Sequence, residues 1–309
     1  MLIKDPPVPV TDSLLMLGTN EYPLYLVKGK TQNALFEGGT AAMAPVVQQQ
    51  LRQLDIAPES ITQLVITHAH PDHVMAVPAL RRILPNIEVS ASQEAAATLS
   101  VEKAIAFFGK IDSTLTESLI SAGSITDAHR HEPLEQKQIP VDRILEEGDT
   151  ITIDGFVFKT VKTPGHSDCS LSFHEPVASI LIISDATGYY IPEHNYFWPN
   201  YFADYAAYLD SIRRLALLNA EILCLSHNAV IKGDRAVKTY IETAISATEN
   251  YHRRIIAETK AGNSSQQIAE MLGAEVYERT KLLPVEFFQK NCSLLVKQSL
   301  KHEGLKPKK

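Results

Sequence analysis

A short histidine-rich motif limits most strongly what this chain can fold into. It reads Thr67-His68-Ala69-His70-Pro71-Asp72-His73 and directly follows the apolar residues 64–66, which predict a buried strand. In an extended segment, residues two apart point the same way, so His68 and His70 can bind one metal ion. The proline then starts a turn, after which Asp72 and His73 can face a second ion. Imidazole and carboxylate donors without a thiolate suit zinc, iron or manganese, so the motif predicts a catalytic metal centre at the end of a strand.

Three further candidate ligands follow predicted strands later in the chain. They are His166 after a strand that ends at Val161, Asp185 after residues 180–183, and His227 after residues 222–225. Taken singly, a histidine at such a place is more often a structural residue, and an aspartate is more often a turn former. Loops at strand ends commonly build sites on a rigid scaffold, and the order of these residues after the motif supports a shared centre.

In order and spacing, these seven residues resemble those of the metallo-β-lactamase-fold hydrolases, and the resemblance covers residues 10–233. It implies an α/β (α+β) fold, a four-layered αββα sandwich with the metal site at one edge between the sheets. It also implies two divalent metal ions as cofactors. The implied assignment places His68, His70 and His166 on one ion, places Asp72, His73 and His227 on the other, and makes Asp185 the bridge. Ser184 and Asn228 stand where the family usually has glycine, which alters only how closely the backbone can approach.

Other segments look like the PqsE-like thioesterases, which act on 2-aminobenzoylacetyl-coenzyme A. The similar segments are residues 14–39, 184–188 and 205–215 and the helical tail near Leu283-Pro284. This resemblance spans most of the chain and favours a thioester substrate. Two positions beside the expected metals depart from it, because Tyr189 replaces an acid and Pro71 replaces an aromatic residue. The identity of the substrate therefore does not transfer.

The alternation of predicted strands and helices indicates mixed sheets covered by helices. Residues 74–84 predict one helix, residues 92–138 predict a helical insertion with polar breaks near Gly123 and Glu132-Pro133, and residues 222–225 predict the last buried strand. Beyond these, helices are expected near residues 235–260, 264–272 and 285–301. We therefore expect a metallo-β-lactamase-like αββα domain over residues 1–233 and a C-terminal helical cap over residues 234–309.

Two regions supply candidate substrate-binding residues. Aromatic side chains are concentrated between residues 189 and 205, directly after the expected bridging aspartate, and Tyr189 and Phe202 are the candidates there. Phe288 and Asn291 are weaker candidates on the last predicted helix. An aromatic cluster is ordinarily part of a core, so each of these assignments has packing as its alternative.

Composition excludes several other classes. The chain carries 29 Lys and Arg against 36 Asp and Glu, a net charge of −7, whereas proteins that grip nucleic acid usually show a basic surplus. Its only concentrated basic stretch, residues 306–309, is expected to be a solvated terminus. The sequence lacks an apolar run of about 18 residues and a signal-peptide pattern, so no membrane association is expected and the location is expected to be cytoplasmic. Three widely spaced cysteines form no disulfide framework, and the sequence leaves a homodimer open.

These residues predict a hydrolase that acts on a small molecule. Two ions about 3.5–4 Å apart can share a hydroxide that attacks an ester-like carbonyl or a phosphorus centre, with Asp72 as the residue that receives a proton. A thioester is the first choice of substrate. The alternatives are a small phosphodiester, a lactone, and a regulatory or binding protein of the same fold with little turnover.

Overall fold

The computed structural model describes residues 1–131 and 136–307, so the break expected near Glu132-Pro133 and the terminal Lys308 and Lys309 lie outside it. The strands of the described residues are β1 (Leu2–Ile3), β2 (Val8–Pro9), β3 (Leu14–Gly18), β4 (Pro23–Lys28), β5 (Asn33–Phe36), β6 (Ile61–Val65), β7 (Glu88–Ala91), β8 (Arg143–Ile144), β9 (Thr150–Ile153), β10 (Phe156–Lys162), β11 (Leu171–Glu175), β12 (Ile180–Ile182), β13 (Tyr189–Ile191), β14 (Tyr196–Trp198), β15 (Ile222–Cys224) and β16 (Val230–Lys232). The α-helices are α1 (Met43–Gln53), α2 (Pro71–Val74), α3 (Val77–Ile83), α4 (Gln93–Leu99), α5 (Glu102–Ser121), α6 (Tyr205–Ala216), α7 (Asp234–Ala261), α8 (Ser265–Thr280) and α9 (Val285–His302).

Two large mixed sheets organise these strands. The first has the order β2-β3-β4-β5-β6-β7-β8, and the second has the order β1-β16-β15-β12-β11-β10-β9. In the first sheet β2 to β5 pair antiparallel and β5 to β8 pair parallel. In the second sheet only β12 and β15 are parallel. Parallel neighbours need crossover connections, and helices supply them at α1, at α2 with α3, at α4 with α5, and at α6.

Alternating residues of the strands face two different apolar regions. In β3, Met16 lies between the sheets and shares a core with Phe158 and Phe173 of the second sheet. Its neighbour Leu17 faces the other way, into the cluster that includes Val47 of α1. Because both faces of the sheets are covered in this manner, the fold is the expected αββα sandwich, with α7 to α9 added after the last strand.

The helix expected over residues 74–84 is wrong in its bounds. It starts earlier, at Pro71, whose missing N–H suits the first turn, and it is interrupted between α2 and α3. The carbonyl of His73 accepts a hydrogen bond from the N–H of Gly38 at 2.9 Å instead of one from its own helix. Pro78 has no N–H to offer the carbonyl of Val74. The break keeps the histidine-rich motif against the end of β5.

Three other expectations differ from the structure. Residues 222–225 are not the last strand, since β16 follows and pairs with both β15 and β1. The aromatic stretch contains a two-stranded ribbon, β13 with β14. Helix α8 continues to Thr280, well past the expected end at residue 272. Gly273 does not end the helix, because it lies against α9. A Cβ there would lie 2.5 Å from the backbone of Gln289, so the glycine permits close helix packing.

The C-terminal helices cover the edge of the molecule near the aromatic ribbon. Helices α8 and α9 form a tightly packed antiparallel pair, and α7 packs against α6, β14 and β15. The helix α8 begins with a capping box at Ser264, whose hydroxyl accepts from the N–H of Gln267 while that side chain accepts from the N–H of Ser264. Among the helices of the described residues, none has the length and apolar character that crossing a membrane would require.

Candidate metal centre

Seven side chains from five separate segments meet where strands of both sheets end. His68 and His70 follow β6, Asp72 and His73 belong to α2, and the others follow β10, β12 and β15. The first group of potential ligands is His68, His70, His166 and Asp185, and the second is Asp72, His73 and His227. Within each group the ligand atoms lie within 4.8 Å of one another. These groups contain all the residues that the sequence proposed as ligands.

Asp185 belongs to the first group and also lies close to the second. Its Oδ2 is 3.2 Å from Nε2 of His166 in the first group and 3.6 Å from Nε2 of His73 in the second. Its Oδ1 is 3.2 Å from Nε2 of His227, also in the second group. The hydroxyl of Ser226 donates a hydrogen bond to the same Oδ1 and fixes the carboxylate. A carboxylate in this place can offer one oxygen to each of two ions.

Four of the imidazoles are held by hydrogen bonds at Nδ1, which leaves Nε2 to face the centre. The partners of Nδ1 are Ser184 Oγ for His68 (2.9 Å), Glu37 Oε2 for His73 (2.8 Å), the Asn200 carbonyl for His166 (2.8 Å) and the Glu21 carbonyl for His227 (2.6 Å). Carbonyl and carboxylate oxygens can only accept, so the contacts of His73, His166 and His227 set the tautomer with a proton on Nδ1. The hydroxyl that meets His68 can donate or accept. His70 is the exception, because its Nδ1 lies 2.9 Å from Nε2 of His166.

The donor set fits divalent metal ions. Nε2 of His68 and Nε2 of His73 are buried and have no hydrogen-bond partner among the described residues. A buried, unpaired ring nitrogen is costly in a protein interior, and a metal ion bound there would remove that cost. Neutral imidazoles and carboxylates are also the donors preferred by zinc, iron and manganese at catalytic sites. The nearby thiol of Cys169 accepts from the N–H of Ala69 and is in neither group.

The charge states match those that metal binding needs. Burial lowers the pKa of His68 and of His166, and it lowers the pKa of His70 to about 3, so these imidazoles are neutral at neutral pH. Burial alone would raise the pKa of Asp72, but neighbouring His73 outweighs it, and the pKa of Asp72 falls to about 2. Burial likewise opposes ionisation of Asp185, whose pKa is nevertheless held well below its usual range by neighbouring imidazoles.

The pKa values of the two imidazoles in the second group are raised instead of lowered. Burial alone would lower the pKa of His73, but the charges of Asp72 and Glu37 raise it well above its usual value. The Asp185 carboxylate similarly outweighs burial and raises the pKa of His227. The protein therefore concentrates negative charge here and uses protons on histidine to balance it. Divalent cations would supply that positive charge instead.

Aromatic rings border the ligands on two sides. Tyr189 packs on His227 with ring centroids 4.8 Å apart, and its hydroxyl is 3.5 Å from Oδ1 of Asn228. Tyr22 meets the same imidazole edge-on at 5.7 Å. On the other side Phe202 packs on His166 at 5.2 Å. Two candidate substrate-binding residues, Tyr189 and Phe202, thus contact candidate ligands directly.

The two candidate substrate-binding residues on α9 contact residues other than the candidate ligands. Phe288 is 3% exposed and packs on Trp198 with centroids 5.5 Å apart. Trp198 in turn meets Phe202 at 6.2 Å. The side chain of Asn291 donates to the carbonyl of Phe287 one turn earlier in its own helix. A role for Phe288 and Asn291 in substrate binding stays a prediction, and the burial of Phe288 against Trp198 favours its alternative, packing.

Sequence reasoning missed the residues that hold the ligands. Glu37, Ser226 and the carbonyl of Asn200 received no role, although Glu37 follows an apolar strand as a lone charge and Ser226 precedes a ligand candidate. The two replacements of glycine were expected to change only the backbone approach. Both Ser184 (φ 49°) and Asn228 (φ 69°) hold the left-handed conformation in which glycine is favoured. Ser184 in addition bonds a ligand candidate through its hydroxyl.

A third group of potential ligands lies between α7 and the end of α9. It contains His252, His302 and Glu303, with Nε2 of His252 3.1 Å from Oε1 of Glu303. Tyr205 stacks on His252 with centroids 4.1 Å apart. This group shares no residue with the centre described above.

Several solved structures are similar to this fold. Among solved structures, a metallo-beta-lactamase family protein from Thermus thermophilus has a TM-score of 0.64 and 18% identity, with 96% of this chain and 95% of that chain covered. The subclass B3 metallo-beta-lactamase BJP-1 of Bradyrhizobium japonicum has a TM-score of 0.58 and 18% identity, with coverage of 84% and 97%. An archaeal metallo-beta-lactamase superfamily protein from Sulfolobus tokodaii has a TM-score of 0.56 and 17% identity, with coverage of 75% and 86%. At these identities the structures show a shared fold.

The family comparison goes further, because it matches sequence over most of the sandwich. The profile of the metallo-beta-lactamase superfamily matches residues 23–227, a span that contains all seven candidate ligands. The chain therefore belongs to the metallo-beta-lactamase superfamily.

Proposed function

We propose that this protein is a hydrolase that depends on two divalent metal ions and cleaves a thioester of the acyl-coenzyme A type or a related small ester. The observation that carries the proposal is the position of Asp185, whose two oxygens face different groups of ligands at 3.2 Å. A site built for one ion would not need a second set of imidazoles on the other side of this carboxylate.

The chain's own residues would bind and orient the reacting groups. When bound, the two ions would supply Lewis-acid polarisation of the carbonyl and a nucleophile generated from water near neutral pH. His68, His70 and His166 would hold one ion, Asp72, His73 and His227 the other, and Asp185 would hold both. Zinc is the metal we propose, and the same nitrogen and oxygen donors also accept iron or manganese.

Asp72 is the residue that we propose to move a proton. Its side chain is 23% exposed, against 5% for that of Asp185, so Asp72 is the more accessible of the two carboxylates. The pKa of Asp72, lowered to about 2, keeps this carboxylate ionised at neutral pH, so its oxygens carry no proton before the reaction. Its Oδ2 lies 3.4 Å from Nε2 of His73, beside the candidate ligands of the second group.

The bordering rings support a substrate with an apolar or aromatic acyl group. Phe202 and Tyr189 flank the centre on opposite sides, and such rings contribute large apolar contact areas to a bound ligand. The resemblance to PqsE-like thioesterases points to the same class, although Tyr189 replaces an acid of those proteins. We further propose that α7 to α9 cap the site, because the row of rings from Phe202 through Trp198 to Phe288 joins it to the C-terminal helices.

A substrate screen tests the proposal. Metal-loaded protein is assayed against aromatic and aliphatic acyl-coenzyme A thioesters, small phosphodiesters and lactones, with an Asp185→Ala variant as the control for contaminating enzymes. We expect the highest kcat/KM on a thioester, and loss of that activity in the variant and on chelation. Higher activity on a phosphodiester or lactone would replace the proposed substrate class. Background activity on every compound, with two ions bound, would support a regulatory or binding protein.

A further inference from the structure

Ser184 forms an unusual junction directly before the proposed bridging aspartate. It begins the short 3-10 helix Ser184–Thr187 after β12, and it is 2% exposed. Its φ of 49° lies in the left-handed region that favours glycine, the residue found there in the family pattern described above. The chain therefore keeps a side chain where the backbone would be less strained without one. The contacts of its hydroxyl indicate a reason.

The hydroxyl belongs to a chain of buried hydrogen bonds. Oγ1 of Thr67 lies 2.9–3.0 Å from both carboxylate oxygens of Glu37. Oγ of Ser184 lies 2.6 Å from Oγ1 of Thr67 and 2.9 Å from Nδ1 of His68. All four residues are at most 2% exposed, so water does not compete for these bonds.

The chemistry of the groups determines which atom donates in each of these hydrogen bonds. The Glu37 carboxylate only accepts, so the single hydroxyl proton of Thr67 donates to it. The proton of Ser184 then donates to Oγ1 of Thr67, and Oγ of Ser184 is left to accept. Nδ1 of His68 must therefore carry a proton and donate it, which leaves the lone pair on Nε2. That Nε2 is buried and has no hydrogen-bond partner among the described residues.

The Glu37 carboxylate also accepts a hydrogen bond directly from an imidazole of the second group. Nδ1 of His73 donates to Oε2 of Glu37 at 2.8 Å, and Nε2 of His73 is likewise buried without a hydrogen-bond partner among the described residues. One carboxylate thus sets the tautomer of one imidazole in each group. It reaches His73 in a single step and His68 through Thr67. The shorter contact with Nδ1 of His68 is made by Oγ of Ser184 at 2.9 Å, and Oγ1 of Thr67 itself lies 3.3 Å from that nitrogen.

We propose that Ser184 is a positioning residue whose hydroxyl, linked through Thr67 to Glu37, holds His68 in the tautomer and orientation that bind metal. This inference rests on the proposed metal centre. Partners of this kind orient a ligand and raise its basicity, and their loss typically lowers metal affinity about 10- to 100-fold. The carboxylate is shared, but only the first group depends on the serine.

Two substitutions of Ser184 separate the hydroxyl from the backbone. Ser184→Ala removes the hydroxyl and keeps a side chain at positive φ, whereas Ser184→Gly removes the hydroxyl and also relieves the strained conformation. Thr67→Val breaks the next link while preserving the branched shape. Ser172→Ala is the matched control, since Ser172 is also buried and its hydroxyl bonds Thr163 and the carbonyl of Ile183, neither of which is a candidate ligand.

Metal-free protein of each variant is titrated with zinc against a chelating dye, and its melting temperature is measured without metal. We expect the affinity for one of the two ions to fall about 10- to 100-fold in Ser184→Ala, Ser184→Gly and Thr67→Val, and to stay unchanged in Ser172→Ala. We also expect Ser184→Gly to melt at a higher temperature than Ser184→Ala, although both lose the same affinity. In nuclear magnetic resonance spectra of the zinc-loaded protein, the Nδ1–H signal of His68 should be present in the parent and lost or shifted in the variants.

The possible failures are distinguishable. If the parent protein binds fewer than two ions, the proposed function is at fault. If it binds two ions and both Ser184 variants keep full affinity, the positioning role is refuted. The role is also refuted if affinity follows melting temperature across the four variants, because Ser184 would then act only through stability.

Discussion

Phe202 and Phe288 belong to one row of aromatic rings, but replacing each by alanine should impair a different property of the protein. The row starts at His166 and runs through Phe202 and Trp198 to Phe288, with centroid distances of 5.2, 6.2 and 5.5 Å. Phe202 is half-buried and contacts a candidate ligand, whereas Phe288 is 3% exposed and meets Trp198 in the core. We therefore expect a kinetic effect at the first position and a stability effect at the second.

The magnitudes follow from burial. Truncation of a buried phenylalanine to alanine costs about 3–5 kcal/mol, and in a chain of this size about 2 °C of melting temperature is lost per kcal/mol. Phe288→Ala should therefore lower the melting temperature by roughly 6–10 °C. A phenylalanine ring covered by a bound acyl group contributes about 1.5–3 kcal/mol, so Phe202→Ala should lower kcat/KM about 10- to 150-fold.

The assay uses metal-loaded parent and variants in parallel. Thermal unfolding gives the melting temperature, elemental analysis gives the metal content, and kcat/KM is measured on the best aromatic acyl thioester below the melting transition. We expect Phe288→Ala to keep its metal and most of its kcat/KM. If Phe288→Ala instead loses kcat/KM tenfold with an unchanged melting temperature, Phe288 contacts the substrate and our interpretation of its burial is wrong. An unchanged kcat/KM in Phe202→Ala would remove that ring from the pocket wall.

Three further predictions concern the metals, the backbone and the thiols. Elemental analysis should find about two ions per chain, and Asp185→Ala should abolish hydrolysis with near-native circular dichroism; full activity in that variant would refute the bridge. Gly165→Ala should destabilise the protein and reduce metal content, because φ is 122° and a Cβ would lie 2.2 Å from the backbone of Tyr208; a stable, metal-replete variant would contradict this. Burial raises the pKa of all three cysteine thiols, that of Cys292 to about 12, so each thiolate forms only far above neutral pH in the folded state. Iodoacetamide at pH 8 should therefore label the three thiols only after unfolding, as followed by mass spectrometry. Rapid labelling of the native protein would show that the thiols are accessible.

Local sequence was sufficient for most elements that position the centre. The strands that precede the ligands are short apolar runs with high β-propensity, and the carboxyl end of each could be placed to within one residue. The helix after the motif was misplaced for a tertiary reason. The carbonyl of His73 bonds the N–H of Gly38, 35 positions earlier in the chain, and no local pattern signals such a contact.

The strand β16 likewise could not be predicted from local sequence. Its three residues follow Asn228 closely and carry too little pattern to be recognised alone. They form a strand because they fit between β15 and the two-residue β1 at the opposite end of the chain. Pairing partners this far apart in sequence are chosen by the packing of the whole sheet.

The sequence by itself determined which atoms the centre offers. The identities of the imidazoles and carboxylates, their order and their positions after strands are local properties, and the seven candidate ligands could be named from them. Tertiary structure decided how those atoms are presented. His68 takes its hydrogen-bond partner 116 residues away, at Ser184, and His227 takes its partner 206 residues away, at the carbonyl of Glu21. Tautomer and orientation depend on such partners, and only folding brings them within hydrogen-bond distance.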